Sequence, residues 1–309
     1  MSNIFDLIVI GGGPAGLTAG LYGSRAKLNI LVIEKEVFGG QITTTAELEN
    51  YPGAPEECTG TSLSVRMKKQ AEDFGTKFVV DEVISMELSA DIKSIKGNKG
   101  EYKTRALIIA TGAKPRLAGF KNELALRGRG VSYCATCDAD FFEGLEIAVI
   151  GGGDSAITEA LYLTKFADSV TIIHRRETLR AAKSIQEKAF KNPKIKFIWN
   201  STIEEATGGE IVEGIVIKNL KTNEITTLEV NGIFVYIGLD PITEIFKGII
   251  ELDANGYIPT DESMKTSISG VYAAGDVRAK SLRQVITAAA DGAIAAMQAE
   301  EYINEHFHL

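Results

Sequence analysis

A stretch of this chain occurs twice. Residues 6–34 read DLIVIGGGPAGLTAGLYGSRAKLNILVIE, and EIAVIGGGDSAITEALYLTKFADSVTIIHRR follows from Glu146. At an offset of 140 positions Val9, Ile10, Gly11, Gly12, Gly13, Leu21 and Tyr22 meet identical residues at 149–153, 161 and 162. Each copy is a short apolar β-type run, a glycine turn, a helix-length segment and a second β-type run. That is the order of a βαβ unit, and its recurrence predicts an internal duplication.

A second echo marks where each copy ends. ALIIATGAKP at 106–115 and GIFVYIGLDP at 232–241 are both apolar runs that enter G-x-x-P. The remainder carries ISGVYAAGD at 268–276, then an Ala-rich helix-length stretch from Leu282 to about Tyr302, with no nucleotide turn of its own. It reads as the finish of the first copy. The expected fold is α/β, with two Rossmann-like dinucleotide-binding domains, the second inserted into the first. The expected boundaries are 1–112, 115–242 and 243–309. A length of 309 residues suits two domains of roughly 100–200 residues each. An inserted domain on two short connections, near Gly112–Pro115 and Gly238–Pro241, can rotate as a rigid body.

Composition narrows the classes. Lysine and arginine number 33 against 41 acids, a net charge of −8, which opposes general attraction to nucleic acid or anionic lipid. No run approaches the roughly 20 apolar residues that a membrane span needs, and Met1–Ile10 lacks a basic region before a cleavable apolar one, so a cytoplasmic protein is expected. Cys58 stands alone, whereas Cys134 and Cys137 form one C-x-x-C. Three cysteines are too few for a disulfide scaffold, and with His174, His306 and His308 as the only histidines no second metal-ligand pair exists. No metal site is expected, and redox chemistry is the favoured use of the pair.

The two glycine turns differ in sign. Gly11, Gly13 and Gly16 give G-x-G-x-x-G after a strand and before a helix, a turn that lets a pyrophosphate approach the backbone and the helix N-terminus. Glu34 follows at the end of the next strand, where an acid binds a ribose diol. An ordinary tight turn is the bland alternative, which the strand, helix and acid in register disfavour. The second copy has Gly151, Gly153 and Ala156, but His174, Arg175 and Arg176 stand where the first has Glu34, with Arg180 a turn beyond. Guanidinium groups bind a 2′-phosphate that an acid would repel, so this copy is expected to take NADPH. A solvated basic patch is the competing explanation. The acidic copy is then the place for a flavin dinucleotide. Cys134 and Cys137 travel with the basic copy; one thiolate can attack an outside disulfide and the other resolve it.

Over nearly its whole length the chain resembles the low-molecular-weight, bacterial-type thioredoxin reductases of the FAD/NADPH pyridine nucleotide-disulfide oxidoreductase family. The resemblance rests on GGGPAG at 11–16, GGQITTTAELENYPG at 39–53, ATGA at 110–113, CATCD at 134–138, GGGDSA at 151–156, HRRETLR at 174–180 and GDVRAKSLRQV at 275–285. CATCD between the two nucleotide motifs is the discriminating feature. The resemblance implies FAD contacts from Gly11, Gly13, Pro14, Ala15, Gly16, Glu34, Lys35, Gly40, Gln41, Asn50, Val83, Ala110, Thr111 and Gly112. It adds Gly275 and Asp276 near the ribityl and pyrophosphate, and Arg283, Gln284 and Val285 at the flavin ring. NADPH contacts are implied for Gly151, Gly153, Asp154, Ser155, Ala156, His174, Arg175, Arg176 and Arg180. Cys137 resembles the cysteine against the flavin, Cys134 the one that attacks thioredoxin, and Asp138 the acid that protonates a leaving thiolate. Two orientations of the inserted domain, a thioredoxin substrate and a homodimer are implied as well.

Three departures from the family pattern stand out: Ala139 for a common glycine, Asp140 as a second carboxylate, and Tyr51 for a frequent tryptophan. Cys58 has no family role. Competing readings are a ferredoxin-fed flavin thioredoxin reductase, a reductase of another redoxin, a ferredoxin-NADP reductase with no use for CATC, and a nucleotide-binding redox sensor without turnover. The intact GGGDSA and HRRETLR argue against the ferredoxin-fed enzyme.

Overall fold

The protein is described by a computed structural model that covers residues 4–44, 48 and 50–308. Thr45, Ala46, Glu47 and Glu49, which belong to the family-like stretch at 39–53, lie outside the described residues. The chain forms two compact units, Met1–Lys114 with Asp240–Leu309, and Pro115–Leu239. The second crossing falls three residues before the expected 242, because Ile242 belongs to the first unit: its N–H donates to the Gly112 carbonyl at 3.0 Å and its carbonyl accepts from Thr111 Oγ1 at 2.7 Å.

In the first unit the strand Ile4–Ile10 pairs in parallel with Ile30–Glu34 on one side and Glu101–Ile109 on the other. Lys77–Val80 extends the sheet beyond Ile30–Glu34. The far edge of Glu101–Ile109 is shared. Its first half pairs antiparallel with Lys93–Gly97, which pairs in turn with Val83–Glu87, and its second half pairs in parallel with Val271–Ala273 from the end of the chain. Leu7, Ile8, Val9, Leu107, Ile108 and Ile109 are fully buried, as continuous apolar runs must be when both faces of a parallel sheet are covered. One cover is the helix Pro14–Arg25 packed on Val285–Phe307, whose alanines Ala288, Ala295, Ala296 and Ala299 share a core with Leu7, Val9 and Ile108. The long helix runs five residues past Tyr302 because its apolar stripe continues to Ile303 and Phe307.

The second unit repeats the plan. Its five-stranded sheet runs Ile195–Trp199, Ser169–His174, Glu146–Ile150, Gly232–Val235, Val131–Ser132, all parallel. The helix Asp154–Leu163 packs on it through Ala156, Ile157, Ala160 and Leu163, each fully buried. A three-stranded antiparallel sheet, Ser201–Thr207, Gly214–Asn219 and Ile225–Glu229, covers another face. In both units the glycine turn leaves the central strand where the strand order reverses, the crevice in which open α/β sheets bind ligands.

Candidate functional site

The first turn is shaped by two glycines that nothing else could replace. Gly11 has φ +111° and a Cβ there would stand 2.2 Å from the Ala110 carbonyl oxygen; a Cβ on Gly16 would stand 1.8 Å from the Gly11 carbonyl oxygen. Gly13 differs: it caps the helix Pro14–Arg25 with no side-chain bond, and no atom lies within 3.8 Å of its Cβ position, the nearest being Gly39 O at 3.9 Å. The turn therefore opens onto free space at a helix N-terminus, as a bound pyrophosphate requires. Glu34 ends its strand with one carboxylate oxygen accepting the Gly12 N–H at 2.7 Å and the other the Glu36 N–H at 3.1 Å. Lys35 is exposed and pairs with Glu36 at 3.4 Å.

Other residues expected at the flavin collect around this turn. The Gly39 N–H donates to Gly12 O at 2.7 Å, which brings Gly40 against Gly13, and the Cβ position of Gly275 lies 2.9 Å from Ala15 Cβ. Asn50 Nδ2 donates to Gln284 Oε1 at 3.2 Å, joining two residues 234 apart in the chain. Gln41 Nε2 donates to the Ala113 carbonyl. The side chains of Val83 and Val285 are buried among core residues, so only their backbones could serve a ligand.

Asp276 is the clearest sign of a missing partner. It sits in the short turn Gly275–Val277, burial pushes its carboxyl up against the opposing pull of Lys280 and Arg283, and its Oδ1 is buried with the Lys280 ammonium 4.0 Å away and no hydrogen-bond partner among the described residues. An orphaned buried acceptor beside an open glycine turn fits a ligand rich in hydroxyl donors. The Arg283 guanidinium lies 4.3 Å from the centre of the Tyr257 ring. Sequence reasoning missed the support of this turn. Asp291 Oδ2 accepts from Gly275 N–H at 3.0 Å and pairs with Lys280 at 2.8 Å, while Oδ1 pairs with Arg278 at 2.7 Å. A lone acid on the alanine stripe of the last helix, three residues after Ala288 and four before Ala295, was the available signal.

The second turn keeps the same logic with different chemistry. Gly151 has φ +147° and its Cβ would stand 2.4 Å from the Tyr236 carbonyl oxygen, whereas Gly153 caps the helix Asp154–Leu163 without a side-chain bond and has nothing within 4 Å. The loop after His174 folds back onto the turn: Arg180 N–H donates to Gly152 O and Ala182 N–H to Asp154 Oδ1, both at 2.7 Å. Arg175, Arg176 and Arg180 are exposed, as is Ser155, while Ala156 is buried. His174 departs from expectation. It is 4% exposed, a Cβ on Gly152 would stand 2.4 Å from its ring, and burial together with Arg180 lowers its pKa. It backs the turn as a neutral ring; the cations available to a phosphate are the three arginines.

Cys134 and Cys137 are joined in a disulfide with their Cα atoms 5.3 Å apart. They follow the strand Val131–Ser132, Cys134 capping the short helix Ala135–Asp138 and Cys137 lying within it, so the pair stands at the same carboxyl edge of the sheet as the second glycine turn. Asp138 is half-buried; burial pushes its carboxyl up and a bond from Ser132 opposes the shift. Ala135 N–H donates to the Tyr236 hydroxyl, and the Tyr236 N–H donates to Ile150 O at 2.8 Å, so Tyr236 bridges the disulfide and the glycine turn. Ala139 is buried, Asp140 exposed, and Cys58 is a free thiol packed with Leu48, Leu63 and Val285. Among the described residues no three His, Cys, Asp or Glu side chains form a metal-ligand cluster.

The chain is 58% identical to the thioredoxin reductase of Peptoclostridium acidaminophilum over 313 aligned positions, covering 99% of both chains. It is 48% identical to the thioredoxin reductase of Listeria monocytogenes, covering 98% of this chain and 95% of the relative. The crystal structure of thioredoxin reductase from Streptococcus pyogenes superposes with a TM-score of 0.93 at 42% identity, covering 99% of this chain and all of that one. Residues 5–292 match the pyridine nucleotide-disulphide oxidoreductase family. Two open glycine turns and a disulfide at the carboxyl edge of the second sheet are what such a family needs, and the chain belongs to it.

Proposed function

We propose that the chain is an NADPH-dependent thioredoxin-disulfide reductase, a flavoprotein whose Cys134–Cys137 pair passes electrons to oxidised thioredoxin. One observation carries this reading: a closed C-x-x-C disulfide lies at the ligand-binding edge of the basic dinucleotide unit, in a chain 58% identical to a thioredoxin reductase from end to end. The residues suit both cofactors. FAD is assigned to the first unit, held by the Gly11–Gly16 turn, Glu34 and Asp276, with Arg283, Gln284 and Val285 at the ring. NADPH is assigned to the second, held by the Gly151–Ala156 turn and Arg175, Arg176 and Arg180. A bound FAD would supply two-electron transfer between NADPH and the disulfide.

The protein's own groups do the rest. Cys134 attacks the substrate disulfide, Cys137 resolves the mixed disulfide, and Asp138, whose carboxyl burial pushes up, supplies a proton to the leaving thiolate. The connections Gly112–Pro115 and Gly238–Pro241 are the proposed hinge for turning the second unit between the two half-reactions. A second copy of this chain is the proposed partner for a groove of about 300 Å³ lined by Leu17, Leu21, Tyr22, Tyr51, Met67 and Ile286, and sedimentation as a monomer would remove that assignment. No helix among the described residues is long and apolar enough to cross a membrane, and a cytoplasmic location is proposed. The test is reduction of oxidised thioredoxin by the yellow protein. Turnover is expected with NADPH, much less with NADH, and none in Cys134→Ser, which keeps its flavin; turnover in that variant defeats the assignment.

A further inference from the structure

Between the strand Val131–Ser132 and the end of the helix Ala135–Asp138, one hydroxyl meets both parts of the exchange machinery. Cys134 N–H donates to Ser132 Oγ at 3.1 Å, and Ser132 Oγ lies 2.6 Å from Asp138 Oδ2. A serine has one proton to give. Among the described residues the carboxylate oxygen at 2.6 Å competes with only the Cys134 carbonyl, at 3.4 Å. Oδ2 therefore accepts, and a proton carried by Asp138 resides on Oδ1. Ser132 is 5% exposed, so water does not replace it.

We propose that Ser132 is a positioning residue for disulfide exchange: its hydroxyl holds the Asp138 carboxyl with Oδ1 as the proton-bearing oxygen and ties it to the backbone of the attacking cysteine. The inference rests on the roles proposed above for Cys134 and Asp138. Cys134 thiolate forms a bond to one sulfur of the substrate disulfide, the substrate S–S bond breaks, and the leaving sulfur takes the proton from Oδ1. The carboxylate so formed keeps the Ser132 bond at Oδ2. Cys137 returns a proton to Asp138 as its sulfur bonds to Cys134 Sγ, the bond between Cys134 and the substrate breaks, and the substrate's second sulfur leaves as a thiolate. Two electrons pass from the cysteine pair to the substrate, and the enzyme disulfide re-forms.

Because the bond favours the charged carboxyl, Ser132 makes Asp138 a stronger acid than its burial alone would. The titratable groups around it are Cys134 and Cys137 on its own turn, Asp140 just beyond, Tyr236 after the strand Gly232–Val235, and Glu159 on the helix Asp154–Leu163. Tyr236, raised by burial and by Glu159, holds the other side of the turn through Ala135.

The experiment is thioredoxin reduction by the flavin-loaded enzyme with NADPH as a function of pH. In Ser132→Ala the alkaline limb, which Asp138→Asn should abolish, is expected to move up by roughly one to two pH units, the worth of one hydrogen bond to a carboxylate. Ser132→Thr should restore the parent profile, and flavin bleaching by NADPH should be unchanged in both. A limb that stays in place in Ser132→Ala, or that moves instead in Glu159→Gln, overturns the proposal. If Ser132→Ala loses its flavin, Ser132→Gly removes the same hydroxyl and must show the same shift. If the parent enzyme does not reduce thioredoxin, the reductase reading fails by itself, and a small aromatic disulfide takes the protein's place in the same comparison.

Discussion

The two glycine turns share a backbone and differ at the residue that ends the neighbouring strand. Glu34 accepts the Gly12 N–H through its carboxylate, whereas His174 lays an uncharged ring against Gly152. The position supports the middle glycine in both units. What it offers a ribose therefore follows from what is left over: an acid in the first unit, and three arginines beyond a buried ring in the second. The duplicated scaffold fixes where a dinucleotide lies, and the strand end selects which one.

The largest break in this symmetry is expected at the third small residue of each turn. Gly16→Ala would drive a Cβ to 1.8 Å from the Gly11 carbonyl oxygen, so it should cost roughly 3 kcal/mol or more and release FAD. Ala156→Gly, the matching exchange in the other unit, should cost only about 1 kcal/mol of helix propensity and leave NADPH binding within a few-fold. Thermal melting and flavin fluorescence of the two variants check this; equal losses would mean that the close approach of Gly16 to Gly11 does not set the first turn apart from the second.

Next in size is the charge difference. Changing Arg175 and Arg176 together to Ala should raise the KM for NADPH by roughly 10- to 100-fold and leave that for NADH within about twofold, since only the 2′-phosphate is lost as a partner. Initial rates with the two nucleotides decide it, and an unchanged preference would place the phosphate elsewhere. Glu34→Ala should act only on the first unit. It frees the Gly12 N–H and a ribose acceptor, and FAD affinity should fall by about tenfold with no change in nicotinamide preference.

Much of this was legible in sequence because it is local. The turn glycines, the strand-end residues and the C-x-x-C lie within short spans whose periodicity and spacing carry the physics. What escaped depends on strand order. Tyr236 reaches Ala135 across 101 positions because Gly232–Val235 lies between Glu146–Ile150 and Val131–Ser132 in the sheet, an order no local pattern encodes. Asp291 supports Gly275 and Asp276 because the last helix crosses their turn. His174 read as a cation beside its arginines, and its burial against Gly152, which lowers its pKa, is what sets it apart from them.

The smallest effects expected are those of pH on the flavin-free protein, and they have opposite signs in the two units. Asp276 holds its proton more tightly folded than unfolded, because burial outweighs Lys280 and Arg283. Between the unfolded value of about 4 and the raised folded one, the folded state binds the extra proton, so this group's contribution falls as pH rises through that window. His174 is the reverse: burial lowers its pKa, the unfolded state binds the extra proton below about 6.5, and its contribution falls as pH drops below that value. Asp276→Asn should therefore stabilise most at neutral pH and lose its advantage in acid. His174→Asn should gain relative to the parent as the medium is acidified. Melting temperatures of parent and variants from mildly alkaline to mildly acidic pH measure both slopes, and parallel curves for Asp276→Asn would mean that the open Oδ1 is not held at a cost to the flavin-free fold.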